Sequence, residues 1–291
     1  MVKKMDYRVL AIDLDGTLTN SRKQITSYTR EILRAAMDRG IKIILASGRP
    51  VLGIRNIAEE LELKQFGGYI LAYNGGQIID CHHEKVIFEK LIPNRFYSEI
   101  CRIARSFGVQ PLTYLGSEVL AESEEDPYVR REAYNNSTTI KKVGRVDHAV
   151  KQQVPKFMLV GENDRLKMAQ ECIKKTFLDK LDVFFSEPYF LEVVPAGIEK
   201  AKALEILLFK LSLFPENLMA FGDGMNDIPM LLYAGYSVAM ENACQRVKEV
   251  ADFITVSNDE DGVAKVVKTL LLDGKNHSGG RDESINCNCN I

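Results

Sequence analysis

The stretch Arg8-Val9-Leu10-Ala11-Ile12-Asp13-Leu14-Asp15-Gly16-Thr17 decides the fold. Its first five residues form a short, nearly continuous apolar run, the mark of a strand buried on both faces. Asp13 and Asp15 follow at i and i+2 as that strand runs out, and Gly16 permits a tight turn there. Outward from this stretch the same punctuation repeats. A helix is expected after Thr26, with Ile32, Leu33, Ala36 and Met37 on one face and Gly40 as its stop. Ile41 to Ala46 reads as a second buried strand, and Val51 to Leu63 as a helix. Tyr69 to Tyr73 reads as a third strand, ended by the turn signal Asn74-Gly75-Gly76. Strand, helix, strand, helix, strand implies right-handed crossovers and an α/β fold with a parallel sheet.

The middle of the chain breaks that rhythm. From about Glu84 to Pro195, short strands (86–88, 119–121, 157–160 and 190–194) interleave with helices near 95–107 and 165–178. The polar piece Glu122 to Pro127 reads as a turn-rich separator. The first pattern then resumes: a helix over 199–211, a strand over 218–221, a helix starting near Asn226, a strand at 237–239, a helix near 244–250, a strand at 253–256 and a last helix before Gly274. This predicts a discontinuous sheet domain, 1–83 with 195–274, and an inserted smaller α/β domain, 84–194. Residues 275–291 are Gly, Ser, Asn and charge, and are expected to be disordered.

Composition narrows the function class. Lys plus Arg number 38 and Asp plus Glu 40, a formal net charge of -2, which leaves no basic footprint for a nucleic-acid partner. No apolar run is long enough to span a bilayer. Lys3, Lys4, Asp6 and Arg8 interrupt any signal-peptide core, so the expected location is cytoplasmic. Cys81, Cys101, Cys172 and Cys244 are expected to be buried small hydrophobes. Cys287 and Cys289, in the polar tail, lack the second pair that a zinc site needs. His82 and His83 read as exposed turn residues rather than ligands.

Four polar segments fall just past strands or at helix starts. They are Asp13-Leu14-Asp15-Gly16-Thr17, Ser47-Gly48-Arg49, the region of Lys200, and Gly222-Asp223-Gly224-Met225-Asn226-Asp227. In an open parallel sheet, ligands bind beyond the carboxyl ends of the strands, so these segments are expected to converge. A carboxylate such as Asp13 can attack phosphorus and form an aspartyl-phosphate, and Asp15 can protonate the leaving oxygen and later activate water. Asp13, the Asp15 carbonyl and Asp223 are hard oxygen donors suited to Mg2+, which would screen the nucleophile from the anionic phosphate. Ser47, the Gly48 N–H and Lys200 can bind the equatorial oxygens. Each segment alone has an ordinary structural explanation: a turn, a strand-to-helix bend, a solvated lysine, a helix cap. The four in this order, each at a strand end, do not. Arg49 either reaches substrate or pairs with a core carboxylate, and Asn74, at the end of the third strand, is a further candidate for facing the site.

On these residues the chain, over roughly 6–272, resembles the haloacid dehalogenase superfamily, and within it the Cof-type sugar-phosphate phosphatases. The resemblance implies a Rossmann-like three-layer core with a large inserted α/β cap of the C2 type. It implies Asp13 as nucleophile and Asp15 as general acid/base, with Asp13, Asp15 and Asp223 on Mg2+. It also implies Leu14, Ser47, Gly48, Lys200 and Asn226 on the phosphate or substrate, and Asp227 supporting the metal indirectly. Many relatives read Ser-Lys-Gly where this chain reads Glu199-Lys200-Ala201, which makes Lys202 the competing lysine. The implied partner is a small phosphorylated metabolite, met by a monomer or homodimer. Two other functions stay open at this point: a phosphomutase of the phosphomannomutase type, and a non-catalytic regulator that binds a phosphorylated ligand.

Overall fold

A computed structural model of the chain describes residues 6–116 and 118–274. In chain order its strands are β1 (Val9–Ile12), β2 (Lys42–Ala46), β3 (Tyr69–Ala72), β4 (Gln77–Asp80), β5 (Lys85–Glu89), β6 (Gln110–Leu115) and β7 (Glu118–Ala121). They continue with β8 (Thr139–Lys142), β9 (Phe157–Val160), β10 (Leu181–Glu187), β11 (Phe190–Pro195), β12 (Leu218–Gly222), β13 (Tyr236–Ala239) and β14 (Phe253–Ile254). Contacts group the described residues into two compact units, 6–43 with 212–274 and 44–211, and the boundary falls inside β2.

In the first unit β1 pairs in parallel with β12, β12 with β13, and β13 with β14. Every residue of β1 is buried, as its unbroken apolar run requires. The helix Ser27–Asp38 starts where expected: the Thr26 hydroxyl accepts the Thr29 N–H at 3.0 Å. Its end is set by Gly40, whose φ of 86° a side chain would resist. The loop residue Asp261 accepts hydrogen bonds from the Thr26 and Thr29 hydroxyls, tying this helix to the C-terminal part of the unit.

In the second unit β2 pairs in parallel with β3, but β3, β4 and β5 are antiparallel. The sheet is therefore mixed. Its reversal comes from Tyr73, Asn74 and Gly75, with φ of 54°, 56° and 94°. A second sheet runs β10-β11-β9-β6-β7-β8, antiparallel except for the parallel pair β7 and β8. The helices Tyr97–Ser106, Val146–Ala149 and Asn163–Phe177 cover one face of it. There Phe157, Leu159, Leu191 and Val193 pack with Ile100, Ile103, Leu166 and Ile173.

Several elements exceed the sequence reading for local reasons. β8 is a polar edge strand, Thr-Ile-Lys-Lys, without an apolar run to announce it. The helix Pro127–Asn135 begins where a separator was expected to end. Asp126 caps it by accepting the Tyr128 and Val129 N–H groups at 2.9 and 3.1 Å, and Pro127 takes the first helical position. The cysteine expectation needs correcting. Cys81 and Cys101 are buried and Cys172 is half-buried, but Cys244 is exposed, at the loop position that precedes the short helix Gln245–Val250. Cys287, Cys289 and the tail expected to be disordered lie outside the described residues. Among those residues no helix is long and apolar enough to cross a membrane.

Candidate active site

The first unit supplies a carboxylate cluster. Asp13 extends the β1 ladder one residue past the strand, its N–H donating to the Phe221 carbonyl at 3.1 Å, and it is buried. The Leu14 carbonyl turns back to accept the Thr19 N–H and hydroxyl, each at 2.9 Å, while the Leu14 side chain is fully buried. This tight loop needs Gly16 on two counts. Its φ is 82°, and a Cβ there would sit 2.3 Å from Asp223 Oδ2. Thr17 donates its hydroxyl to Asp223 Oδ1 at 2.8 Å, which fixes that carboxylate over the loop.

Asp227 is fully buried, and its Oδ2 accepts the N–H groups of Asp223 and Gly224 at 3.0 and 2.9 Å. Gly222 lets it come so close, since a Cβ on Gly222 would lie 2.5 Å from Asp227 Cβ. The result is that carboxylate oxygens of Asp13, Asp223 and Asp227 all fall within 4.8 Å of one another. Three carboxylates at such spacing repel, and a divalent cation with a preference for hard oxygen is the charge that offsets them. The donor set fits such an ion. Asp15 points elsewhere: its carboxylate takes the Lys23 ammonium at 2.6 Å and is partly exposed. Asn226 lies exposed in the turn Met225–Asp227.

The second unit supplies a set suited to an anion. Ser47 follows β2, is buried, and donates its N–H to the Leu71 carbonyl at 2.9 Å. Its hydroxyl accepts the Arg49 N–H at 3.1 Å, and its carbonyl accepts the Asn74 N–H at 2.9 Å. The turn at 73–75 is thus knitted to the loop at 47–49, and Asn74 so closely that a Cβ on Gly48 would lie 3.1 Å from Asn74 Nδ2. The same turn presses on the helix Lys200–Leu211: a Cβ on Gly75 would come within 2.7 Å of Ala203 Cβ and 2.9 Å of the Glu199 carbonyl.

Lys200, first in that helix, is 1% exposed, whereas Lys202 is exposed and 3.8 Å from Glu199. Arg49 donates to the Gly53 carbonyl at 3.1 Å. His82 and His83 are exposed in a turn, His83 against Asp80 at 2.8 Å. A serine hydroxyl beside the loops at 47–49 and 73–75, and a buried lysine at the start of the helix those loops press on, are residue types with a chemistry for oxyanions.

A family model of haloacid dehalogenase-like hydrolases matches residues 10–267. The chain belongs to that family. Among curated relatives of this haloacid dehalogenase-like hydrolase is 5-amino-6-(5-phospho-D-ribitylamino)uracil phosphatase YcsE of Bacillus subtilis. The two are 32% identical over 275 residues, covering 92% of this chain and 97% of that one. A solved haloacid dehalogenase-like hydrolase from Bacteroides thetaiotaomicron is 42% identical with a TM-score of 0.89, over 91% of this chain and 99% of its own. BT1666, a phosphatase of the superfamily from the same organism, is 27% identical with a TM-score of 0.78, over 92% and 96%.

The structure also brings forward residues that the sequence reading of this hydrolase passed over. Asn242, three residues past β13, donates to the Gly16 carbonyl at 2.8 Å, and its Oδ1 accepts the Asn258 N–H. The rule that looked beyond strand ends could have reached it, but Met240-Glu241-Asn242 carries no glycine or acidic doublet to mark a site. Lys156 and Glu192 are buried charges, each the lone charge in or beside a strand otherwise apolar. That interruption was their signal.

Proposed function

We propose that this haloacid dehalogenase-family phosphatase is magnesium-dependent and hydrolyses small phosphate monoesters, sugar phosphates or similar metabolites, through an aspartyl-phosphate on Asp13. The observation that carries the reading is the convergence of the Asp13, Asp223 and Asp227 carboxylates at the end of β1 and β12. Asp13, Asp223 and the Asp15 carbonyl would hold the Mg2+, with Asp227 bracing the loop that carries Asp223. When bound, that ion offsets the charge between carboxylate and phosphate and polarises a phosphoryl oxygen.

An Asp13 carboxylate oxygen bonds to phosphorus as the ester P–O bond breaks. Asp15 gives its proton to the departing oxygen. Asp15, now a carboxylate, takes a proton from water, which attacks phosphorus and returns Asp13 as the carboxylate with inorganic phosphate released. Lys23 lies 2.6 Å from the Asp15 carboxylate and can orient it. The backbone of Leu14 and the side chains of Ser47, Lys200 and Asn226, with the Gly48 N–H, bind the phosphate. The buried position of Lys200 against the exposed position of Lys202 supports that choice of lysine.

The phosphorylated ribityl compound in the name of the Bacillus subtilis relative supports a small polyol ester as substrate. We assign catalysis to 1–83 with 195–274 and substrate selection to a cap at 84–194. The six-stranded sheet, drawn wholly from 110–195, supports that division. The working location is the cytoplasm. The test is phosphate release from p-nitrophenyl phosphate and a sugar-phosphate panel, with Mg2+ and with chelator. Activity is expected only with the metal, and Asp13→Asn should reduce it at least about 10^4-fold. Chelator-resistant turnover, substantial activity in Asp13→Asn, or isomerised hexose phosphate in place of free phosphate would each overturn it.

A further inference from the structure

The six-stranded sheet has two unlike faces. Helices cover one. On the other, the register sets Glu192 of β11 beside Met158 of β9, and Met158 beside Leu112 of β6. One position further along the ladder, Tyr114 falls opposite Lys156, which immediately precedes β9. Lys156 is 2% exposed and Glu192 5%. Lys156 Nζ lies 3.2 Å from Glu192 Oε1 and donates to the Gly48 carbonyl at 3.5 Å. It also stands 5.3 and 5.9 Å from the ring centres of Tyr114 and Tyr73.

Behind this pair, Glu132 accepts the Tyr114 hydroxyl and, at 2.7 Å, the Asn136 amide. Burial pushes the Glu132 carboxyl above its ordinary range. One atom of the cluster is left over. Glu192 Oε2 is buried and has no hydrogen-bond partner among the described residues. A carboxylate oxygen removed from water without a donor is costly, and an apolar pair of equal volume would hold the sheet without that cost. Lys156, for its part, has three donor hydrogens and, among the described residues, acceptors in reach at Glu192 Oε1 and the Gly48 carbonyl.

We propose that Glu192 and Lys156 form the subsite for the leaving group, recognising it as a neutral polyol through one hydroxyl that donates to Glu192 Oε2 and a neighbouring hydroxyl that accepts from Lys156 Nζ. The inference rests on the phosphatase reading above, and on Gly48, the residue that Lys156 reaches, lying in the phosphate-binding loop. A hydroxyl both gives and accepts, so adjacent hydroxyls match this acceptor-donor pair, while the tyrosine rings offer apolar walls to the carbon skeleton. A second phosphate or a carboxylate on the leaving group would face Glu192 and is disfavoured.

The experiment compares kcat/KM for a hexitol 6-phosphate with that for p-nitrophenyl phosphate, which has no hydroxyl, using the full chain with Mg2+. For Glu192→Gln and Lys156→Met the ratio of the two is expected to fall at least about tenfold, mostly through KM for the polyol ester. The double variant, which removes both charges together, covers the case in which one unpaired buried charge unfolds the chain. A ratio unchanged from wild type in the folded variants, both substrates falling in step, overturns the subsite. Wild-type turnover of p-nitrophenyl phosphate but of no hydroxylated ester overturns it too, while sparing the phosphatase reading. Turnover of neither would sink both.

Discussion

Two charge clusters of the second unit flank the same six-stranded sheet, and their hydrogen-bond accounts differ. Among the covering helices, Arg105 donates to Glu122 at 2.6 Å and to Asp147 at 3.3 Å. Arg145 donates to Asp147 at 2.7 Å, and the Val146 N–H to Glu122 at 3.0 Å. On the opposite face, Lys156, Glu192, Glu132 and Tyr114 form a more deeply buried network that ends in Glu192 Oε2, which has no hydrogen-bond partner among the described residues. A closed account, with no buried side-chain atom left without a partner among the described residues, marks charge that serves the fold. An open one marks charge held ready for something else. Substitutions should therefore separate into those that lose turnover and those that lose stability.

The sharpest separation is expected within a single helical turn. Lys200→Ala should lower kcat/KM by about 10^2–10^3, the range for a lost charge-stabilising donor. Lys202→Ala, at an exposed position paired loosely with Glu199, should change it less than about twofold. Steady-state kinetics on p-nitrophenyl phosphate decide it. Equal losses in the two variants, or a larger one in Lys202→Ala, would break the link drawn between burial and function.

A smaller effect is expected at Asp227, which braces the Asp223 loop through two backbone N–H groups. Asp227→Asn should raise the Mg2+ concentration for half-maximal activity about ten- to hundredfold, as removing a supporting partner of a metal ligand does. A titration of activity against Mg2+ reads this directly. An unchanged midpoint with a lower plateau would instead assign Asp227 to the chemical step.

The same contrast explains what was legible in the sequence. Asp13 to Thr17 and Gly222 to Asp227 were readable because backbone geometry and chemistry demand the same residues in one short window. Gly16 must be glycine both for its φ of 82° and for the carboxylate 2.3 Å from where a Cβ would be. The core strands β1, β9 and β12 were readable from unbroken apolar runs. The Lys156 and Glu192 pair was not, because its members lie 36 positions apart and meet only through the register of β9 and β11. The antiparallel turn at Tyr73 was missed for another reason. Asn74-Gly75-Gly76 announces a turn, but not that Tyr73 would itself take a left-handed conformation.

The smallest expected effect tests the closed account itself. Burial alone would raise the Asp147 carboxyl, yet hydrogen bonds from Arg145 and Arg105 hold it below its ordinary 3.8. A depressed folded value means that the native chain binds this proton less readily than the unfolded chain. The contribution to stability is therefore complete above 3.8 and is lost as pH falls through the lowered value. Arg145 is about half exposed, so its share is small and is screened by salt. Arg145→Ala should accordingly lower Tm slightly at neutral pH without changing turnover. The gap to wild type should narrow as pH drops below 3.8 and close below the lowered value, where Asp147 is protonated in both proteins and has no charge left to pair. His148, 3.7 Å from the same carboxylate, Glu122, which shares Arg105 with it, and Cys101 are the other titratable neighbours; a His148→Gln background removes the first, and Glu122 and Cys101 are common to both proteins compared. A gap that widens in acid would mean that Arg145 acts through packing of its stem rather than its charge, and that a satisfied carboxylate is no guide to which charges hold the fold together.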